Sequence, residues 1–242
     1  MLFRNFAFYK LFVNMQIKSS NRTNLLALPF LAVQLFFSCN GTPDLKPYYY
    51  QLEDFQQPKY YVFETNEYPA NTQYWKISAD IASNTLTTET FNSRFEQIEY
   101  FSEKFDEEGS KLLNFYPVEK GTNGSSEIKN PDVFRWKPDG EFTYSATIHD
   151  KNGIVEFSKT RKYIGTENIH IMGEDLTAAK FEGRYQLKNK VSSEPDVEFW
   201  QYGYYTKEYG FVKYERHFSD GSIRSREVTA IFNEKEWQKL QQ

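Results

Sequence analysis

The sequence predicts an all-β fold with minor helical content: an antiparallel meander that forms a curved open sheet or half-barrel with a short C-terminal helix. The first observation is an apolar–polar alternation of period two, as at Trp75, Ile77 and Ala79, which is typical of strands with one wet face. The second is a series of tight-turn signals between the alternating runs. The third is a single capped helical segment at the C-terminus. This order favours sequential hairpins over alternating strands and helices.

Strands are predicted along the whole chain after Pro58, where apolar and polar residues alternate and aromatic residues are frequent. In one such run Phe142, Tyr144, Ala146 and Ile148 alternate with serine and threonine, which predicts a buried face and a wet face. The predicted strands are 59–64, 75–81, 85–92, 95–105, 111–118, 133–136, 142–148, 153–164, 181–188, 197–206, 211–218 and 223–232.

Short connections that place a glycine after an acid or asparagine separate these runs. They lie at 106–109, 138–140, 150–153 and 219–221. Such sequences supply the positive-φ positions that tight hairpins require, so neighbouring strands should be antiparallel. Two other connections, 122–126 and 192–195, are interpreted as longer loops.

The C-terminus carries the clear helical signal. Asn233 is a favourable N-cap, Glu236 follows three residues later as in a capping box, and Trp237 and Leu240 fall on one helical face. We expect a short helix that packs against the sheet.

The N-terminus has the features of an export signal. Residues 25–37 form an apolar run without charge, and Lys18 and Arg22 precede it. The run is shorter than the roughly 20 residues of a membrane-spanning helix, so residues 1–38 are predicted to be a signal peptide. Translation could start at Met1 or at Met15, and Met15 gives the more compact basic region.

The single cysteine follows this run directly. The segment Leu35-Phe36-Phe37-Ser38-Cys39 resembles the lipobox of bacterial lipoproteins, although Phe36 stands where that family usually has leucine. The resemblance implies that Cys39 is diacylated and becomes the mature N-terminus. A lone cysteine cannot form an internal disulfide, and acylation gives it a use. The alternatives are an ordinary signal peptide or an N-terminal core helix, with a buried or incidental Cys39.

The mature chain divides into a tether and one domain. Residues 39–58 contain Pro43, Pro47 and Pro58, which predicts a lipidated tether, and we expect the tyrosines 48–50 to dock it. Residues 59–242 are predicted to form a single β-rich domain, large enough to bury a core without disulfides.

A family resemblance lies in the C-terminal half. The segments Tyr163-Ile-Gly-Thr-Glu-Asn-Ile-His-Ile-Met-Gly173, Ala178-Ala-Lys-Phe181 and Tyr204-Tyr-Thr-Lys-Glu-Tyr-Gly-Phe-Val-Lys-Tyr214 resemble uncharacterised envelope lipoproteins. The curved sheet of those proteins is similar to the half-barrels of the Lol-type lipoprotein carriers. The resemblance implies a fold and a compartment and transfers no active-site residue.

Charge excludes one class of partner. Four basic residues and no acid precede Cys39, so the formal net charge changes from −4 for the whole sequence to −8 for the mature part. A non-specific nucleic-acid binder needs a basic face for phosphate contacts. The sequence has no cluster of lysine and arginine, and we expect no nucleic-acid partner.

Residues that often carry catalysis form no motif. His149, His170 and His217 have no second histidine at ligand spacing, and we interpret them as exposed strand residues. The acids 106–108 lack the ligand pattern of a calcium loop. No phosphate loop or nucleophile elbow is present. We therefore predict no catalytic residue, metal or cofactor, and an enzyme with dispersed residues is the less favoured alternative.

One predicted strand is aromatic on both faces. Alternation places Trp200, Tyr202 and Tyr204 on one face and residues 199, 201 and 205 on the other. Aromatic rings give large contact areas, and tyrosine adds a polar tip. The candidate binding face comprises Trp200, Tyr202, Tyr204 and Tyr205, and the alternative is that both faces are covered by the helix and the tether.

Three functional classes follow. We favour a binding or adaptor lipoprotein of the bacterial envelope, held in the membrane by its N-terminal lipid, with an envelope protein or a small lipophilic ligand as partner. The alternatives are a half-barrel carrier of a lipophilic ligand and an enzyme. Asn40 beside Cys39 favours the outer membrane, by resemblance to lipoprotein sorting rules, with the domain facing the periplasm or the cell surface.

Overall fold

The computed structural model describes residues 42–65, 71–119, 122–150, 153–190 and 196–242, and the predicted all-β antiparallel fold with a short C-terminal helix is confirmed. Within these ranges, no helix has the length and hydropathy to cross a bilayer. The elements are β1 Lys59–Glu64, β2 Gln73–Asp80, β3 Thr85–Phe91, β4 Gln97–Phe105, β5 Gly109–Glu119, β6 Thr122–Asn123, β7 Ser125–Arg135, β8 Glu141–Asp150, β9 Gly153–Ile171, β10 Glu174–Asn189, β11 Val197–Thr206, β12 Gly210–Phe218, β13 Ile223–Phe232 and α1 Glu234–Leu240.

The sheet curls further than an open sheet or half-barrel and closes on itself. Consecutive strands pair antiparallel, and β1 at the start of the meander pairs with β13 at its end. Within the described ranges, twelve strands form the closed ring, and the two-residue β6 pairs only with β5. Irregular registers, such as the one between Val62 and Phe63, bend the strands and help the sheet to close.

The alternating hairpins give the barrel two ends. The plugged end carries the turns 81–84, 106–108 and 136–140. The far end carries the connections 92–96 and 219–222. Every second side chain of each strand points into the interior between these ends.

The segment 45–55, called the plug below, occupies the interior at the plugged end. It forms two short 3-10 helices, Lys46–Tyr48 and Leu52–Phe55, and begins where the Leu45 backbone N–H donates to the Trp136 carbonyl at 2.7 Å. Its buried side chains join the barrel core, and they are Leu45, Tyr49, Tyr50, Leu52 and Phe55. From Leu45 onward, the predicted tether 39–58 is therefore part of the folded domain.

The C-terminal helix packs on the outer face of the barrel. Asn233 accepts hydrogen bonds from the backbone N–H groups of Lys235 and Glu236, and the Glu236 side chain completes the predicted capping box. Trp237 is buried against the rings of Tyr60, Tyr74, Phe91 and Phe95. The helix thus covers an aromatic patch on the outer face.

Candidate functional site

A cluster of cations lies inside the barrel, beyond the plug. The side chains of Lys159 and Arg161 on strand β9 point inward. Lys159 pairs with Tyr144 of β8 and Tyr185 of β10. Arg161 pairs with Phe142 of β8 and Gly183 of β10. Strands β12 and β13 add Arg216 and Arg226. We call Lys159, Arg161, Arg216 and Arg226 the interior cation cluster.

Arg161 is fully engaged by the fold. One terminal amino group of its guanidinium donates to the Val133 carbonyl and the other to the Tyr205 hydroxyl, both at 2.7 Å. The guanidinium also lies within 6 Å of the rings of Phe134, Phe142, Phe181 and Tyr205. Hydrogen bonds and cation–π contacts replace the lost hydration, so the fold itself satisfies this buried cation.

The acid nearest the plug is also engaged. The Tyr49 hydroxyl lies 2.8 Å from both carboxylate oxygens of Glu103, which is fully buried. Burial raises the pKa of Glu103 to about 7, against the opposing effects of the hydrogen bond from Tyr49 and the charge of Arg161. Glu103 ties the plug to strand β4.

Lys159 has very different surroundings. Its side chain is only 7% exposed, yet no described residue accepts a hydrogen bond from its ammonium group or forms an ion pair with it. The ammonium lies 4.4 Å from the ring centre of Tyr185 and 5.7 Å from that of Tyr144. Burial, followed by the positive charges of Arg161 and Arg216, lowers the pKa of Lys159 well below its usual value, and the charge of Glu99 opposes this shift without cancelling it.

Two arginines extend the cluster towards β13. The Arg216 Nε donates to the Gln201 side-chain oxygen at 3.0 Å, and the guanidinium lies over the rings of Phe199 and Tyr214. The Arg226 Nη1 is buried and has no hydrogen-bond partner among the described residues. Burial lowers the pKa of Arg226. Neither arginine forms an ion pair with a described carboxylate.

One further acid faces the cluster. Glu99 of β4 points inward opposite Pro117. Burial raises its pKa to about 7, although the charges of Arg216 and Lys159 act in the other direction. Near neutral pH this carboxyl is therefore only partly ionised. The interior carries a net positive charge and more hydrogen-bond donors than acceptors.

The arrangement is suited to holding an anion. No group of three or more His, Cys, Asp or Glu side chains in the described ranges could hold a metal ion. A lysine with a lowered pKa beside a glutamate with a raised one also occurs in enzyme sites. Among the described side chains, however, no hydrogen bond joins Lys159 to Glu99, and the structure provides no positioned pair for proton transfer.

Comparisons with known proteins concern the fold. No protein-family model matches the chain, and no curated protein matches it. A candidate lipoprotein from Parabacteroides distasonis is 14% identical, with a TM-score of 0.48 over 73% of this chain and 95% of that chain. An exported protein with a YmcC-like fold from Bacteroides fragilis is 11% identical, with a TM-score of 0.47 and the same coverage. The hypothetical lipoprotein YmcC from Escherichia coli is 13% identical, with a TM-score of 0.38 over 74% of this chain and 85% of that chain.

The structure separates the residues of the predicted binding face. Trp200 is 45% exposed on the outer surface beside the partly buried Tyr202, whereas Tyr204, on the same side, is only 2% exposed. Tyr205 points into the interior, where it bonds to Arg161. The four residues cannot form one face, because alternation sends Tyr205 to the opposite side of the strand.

The remaining predicted positions are placed as follows. Cys39 lies outside the described residues. His149 is exposed and His170 pairs with Asp175 at the surface. His217 lies on the outer face of β12, edge-on to Tyr202, and its Nε2 is buried without a described partner.

Sequence reasoning missed the interior cation cluster. The alternation of Val155 and Phe157 continues through Lys159 and Arg161, so two basic residues occupy positions where a core residue is expected. That break in the pattern was the available signal.

Proposed function

We propose that this protein is an outer-membrane lipoprotein of the bacterial envelope, acylated on Cys39, that serves as a binding module with its ligand inside the barrel. The observation that carries the proposal is Lys159, a lysine buried in the interior whose side chain has no hydrogen-bond acceptor among the described residues.

Lys159 and Arg161 differ in what satisfies them. A buried lysine without a hydrogen-bond acceptor destabilises the fold, whether it keeps its charge or its pKa falls until it is neutral. Arg161, two residues away, shows that this barrel can satisfy a buried cation with hydrogen bonds and rings. A destabilising group that persists in a concave interior is typical of a binding site. The ligand would supply the missing acceptor.

Native mass spectrometry of protein released from its own membranes in mild detergent tests the proposal. The intact mass should include a diacylated Cys39, and a fraction of the protein should carry a non-covalent small-molecule adduct. Lys159→Met should lose the adduct. Lys162→Met, an exposed lysine on the outer face of the same strand, should keep it. Absence of any adduct in repeated preparations of the wild type would contradict an interior ligand.

A carrier of a lipophilic ligand is the second candidate. The observation that favours it is the aromatic wall near the far end, where Tyr185 stacks on Phe199 at 4.6 Å and Phe115 meets Phe157 at 4.7 Å. A carrier should deliver its ligand to acceptor vesicles, whereas a binding module should retain it. Transfer of the adduct to protein-free vesicles would distinguish the two.

An adaptor role for the outer face rests on Trp200 and Tyr202. Trp200→Ala should then reduce recovery of an envelope protein in a pull-down from solubilised membranes without changing the interior adduct.

A further inference from the structure

We infer that the interior site binds an oxyanion, a carboxylate or phosphate, between Lys159 and Arg216, and that the body of the ligand packs on the aromatic rings around them. The inference rests on the proposed function and specifies the chemistry of its ligand.

The site contains hydrogen-bond donors that have no acceptor among the described residues. The Arg216 Nε is occupied by Gln201, but neither of its terminal amino groups has a hydrogen-bond acceptor among the described residues. Lys159 adds an ammonium with the same lack of an acceptor, and Arg226 adds its unpartnered Nη1. The two groups lie over neighbouring stacked rings, Lys159 over Tyr185 and Arg216 over Phe199. An ammonium and a guanidinium so placed are the kind of donors that bind carboxylate and phosphate.

The hydroxyl groups point to the same chemistry. The rings of Tyr144 and Tyr185 flank the Lys159 ammonium. In the part of the chain that the structure describes, neither phenol oxygen has a hydrogen-bond partner. Each can donate to an oxyanion held by Lys159, because burial raises the pKa of both phenols and keeps them protonated.

The charge balance disfavours a cationic ligand. Two arginines, Arg216 and Arg226, face Glu99 as the nearby acid within the described residues, and that acid is only partly ionised near neutral pH. In an interior of low dielectric constant, such an imbalance strongly favours a negative ligand over a positive one.

The rings determine the rest of the ligand. Tyr185 and Phe199 are stacked within 16° of parallel and present flat apolar surface beside Arg216. Such surface packs equally well against an alkyl chain and against the apolar face of a sugar ring. The shared chemistry is therefore an oxyanion joined to an apolar or sugar body, and the two sources are separated by experiment.

The test is calorimetric titration of the lipidated protein in phosphatidylcholine nanodiscs with matched pairs of soluble probes. Octyl phosphate and octanoate are compared with octyl glucoside, and glucose 6-phosphate and glucuronate are compared with glucose. In at least one series the anion should bind about tenfold or more tightly than its neutral counterpart, as expected for charge-assisted hydrogen bonds. The series that binds identifies the body as alkyl or sugar.

The variants decide whether the cluster makes the contact. Lys159→Met and, independently, Arg216→Met should each weaken anion binding about tenfold or more. Lys162→Met should bind as the wild type does. The unfolding transition of each variant verifies that it is folded, and if one variant fails to fold the other still decides.

The outcomes separate the two claims. Equal binding of anionic and neutral probes, or undiminished anion binding by both variants, overturns the oxyanion inference and leaves the binding module standing. If protein that carries a native adduct binds no probe, the oxyanion inference is likewise overturned and the binding module stands. Binding of no probe by protein without any adduct overturns the inference and the proposed function together.

Discussion

Lys159 and Arg161 are neighbours on the same face of β9, but only Arg161 is paired. Arg161→Met should leave the Val133 carbonyl and the Tyr205 hydroxyl without their partner in the core. We expect the free energy of unfolding to fall by about 2 to 4 kcal/mol in urea denaturation. A loss below about 0.5 kcal/mol would show that the buried guanidinium contributes little to the fold.

Glu103 should make stability depend on pH in a defined direction. Its pKa in the folded protein, about 7, lies above the value near 4.3 of an unfolded chain. The folded state therefore keeps this proton to higher pH, and stability falls as the pH rises from about 4.5 to about 7. Relative to wild type, Glu103→Gln should gain roughly 3 kcal/mol across this window.

The measurement is urea denaturation of both proteins at several pH values. The exposed acid Glu107 of the turn before β5 gives the control, because Glu107→Gln should follow the wild-type curve. A constant difference between Glu103→Gln and wild type from pH 4.5 to pH 8 would contradict the raised pKa.

The aromatic strand β11 carries Tyr205 and Trp200 on opposite faces of the sheet, so the two rings can be compared. Tyr205 is buried beside Arg161, so Tyr205→Ala should cost about 3 to 5 kcal/mol, the range for truncating a large ring in a core. Trp200 is 45% exposed, and Trp200→Ala should cost less than about 1 kcal/mol. Thermal unfolding of both variants tests this. Equal losses would place Trp200 in a packed environment.

At the level of elements, packing of the plug explains why position 210 is a glycine. Gly210 has φ +69°, and a Cβ there would lie 2.4 Å from the ring of Tyr50. Gly221 has a similar φ of +82° but open space around it. Both alanine variants should lose roughly 1 kcal/mol from backbone strain. Gly210→Ala should lose a further 1 to 3 kcal/mol or so, because the plug must move.

Chemical denaturation of the two glycine variants measures the difference directly. If they lose the same stability, the plug does not pack against Gly210 in solution.

The elements also show what the sequence could predict. Alternation located most strands, including β8 at Glu141–Asp150, where Phe142, Tyr144, Ala146 and Ile148 are buried. It did not predict the first part of β7, Ser125–Arg135. The polar residues and Pro131 of this part are typical of a loop, and the sequence predicts a loop at 122–126. The second predicted loop, 192–195, lies outside the described residues. The prolines predict a tether, whereas Pro47 lies in the first short 3-10 helix of the plug, and Tyr49 and Tyr50, two of the tyrosines expected to dock, are part of the core.

At the level of the whole molecule, closure of the barrel creates the candidate site. Glu99, Lys159 and Arg216 belong to strands that are distant in sequence, so no local pattern brings the three together. The inward positions of Lys159 and Arg161 were readable from alternation. Alternation could not show which of the two is paired, because the partners Val133 and Tyr205 come from other strands.

The proposed site depends on Lys159, which the barrel holds without a hydrogen-bond partner of its own. Thermal unfolding of ligand-free protein, with the absence of an adduct verified by native mass spectrometry, tests this in wild type, Lys159→Met and Lys162→Met. We expect Lys159→Met to melt at the same temperature as wild type or several degrees higher, since an apolar side chain replaces a buried amine without an acceptor, while Lys162→Met is unchanged. A melting temperature lowered as far as that of Arg161→Met would show that the fold itself pairs Lys159.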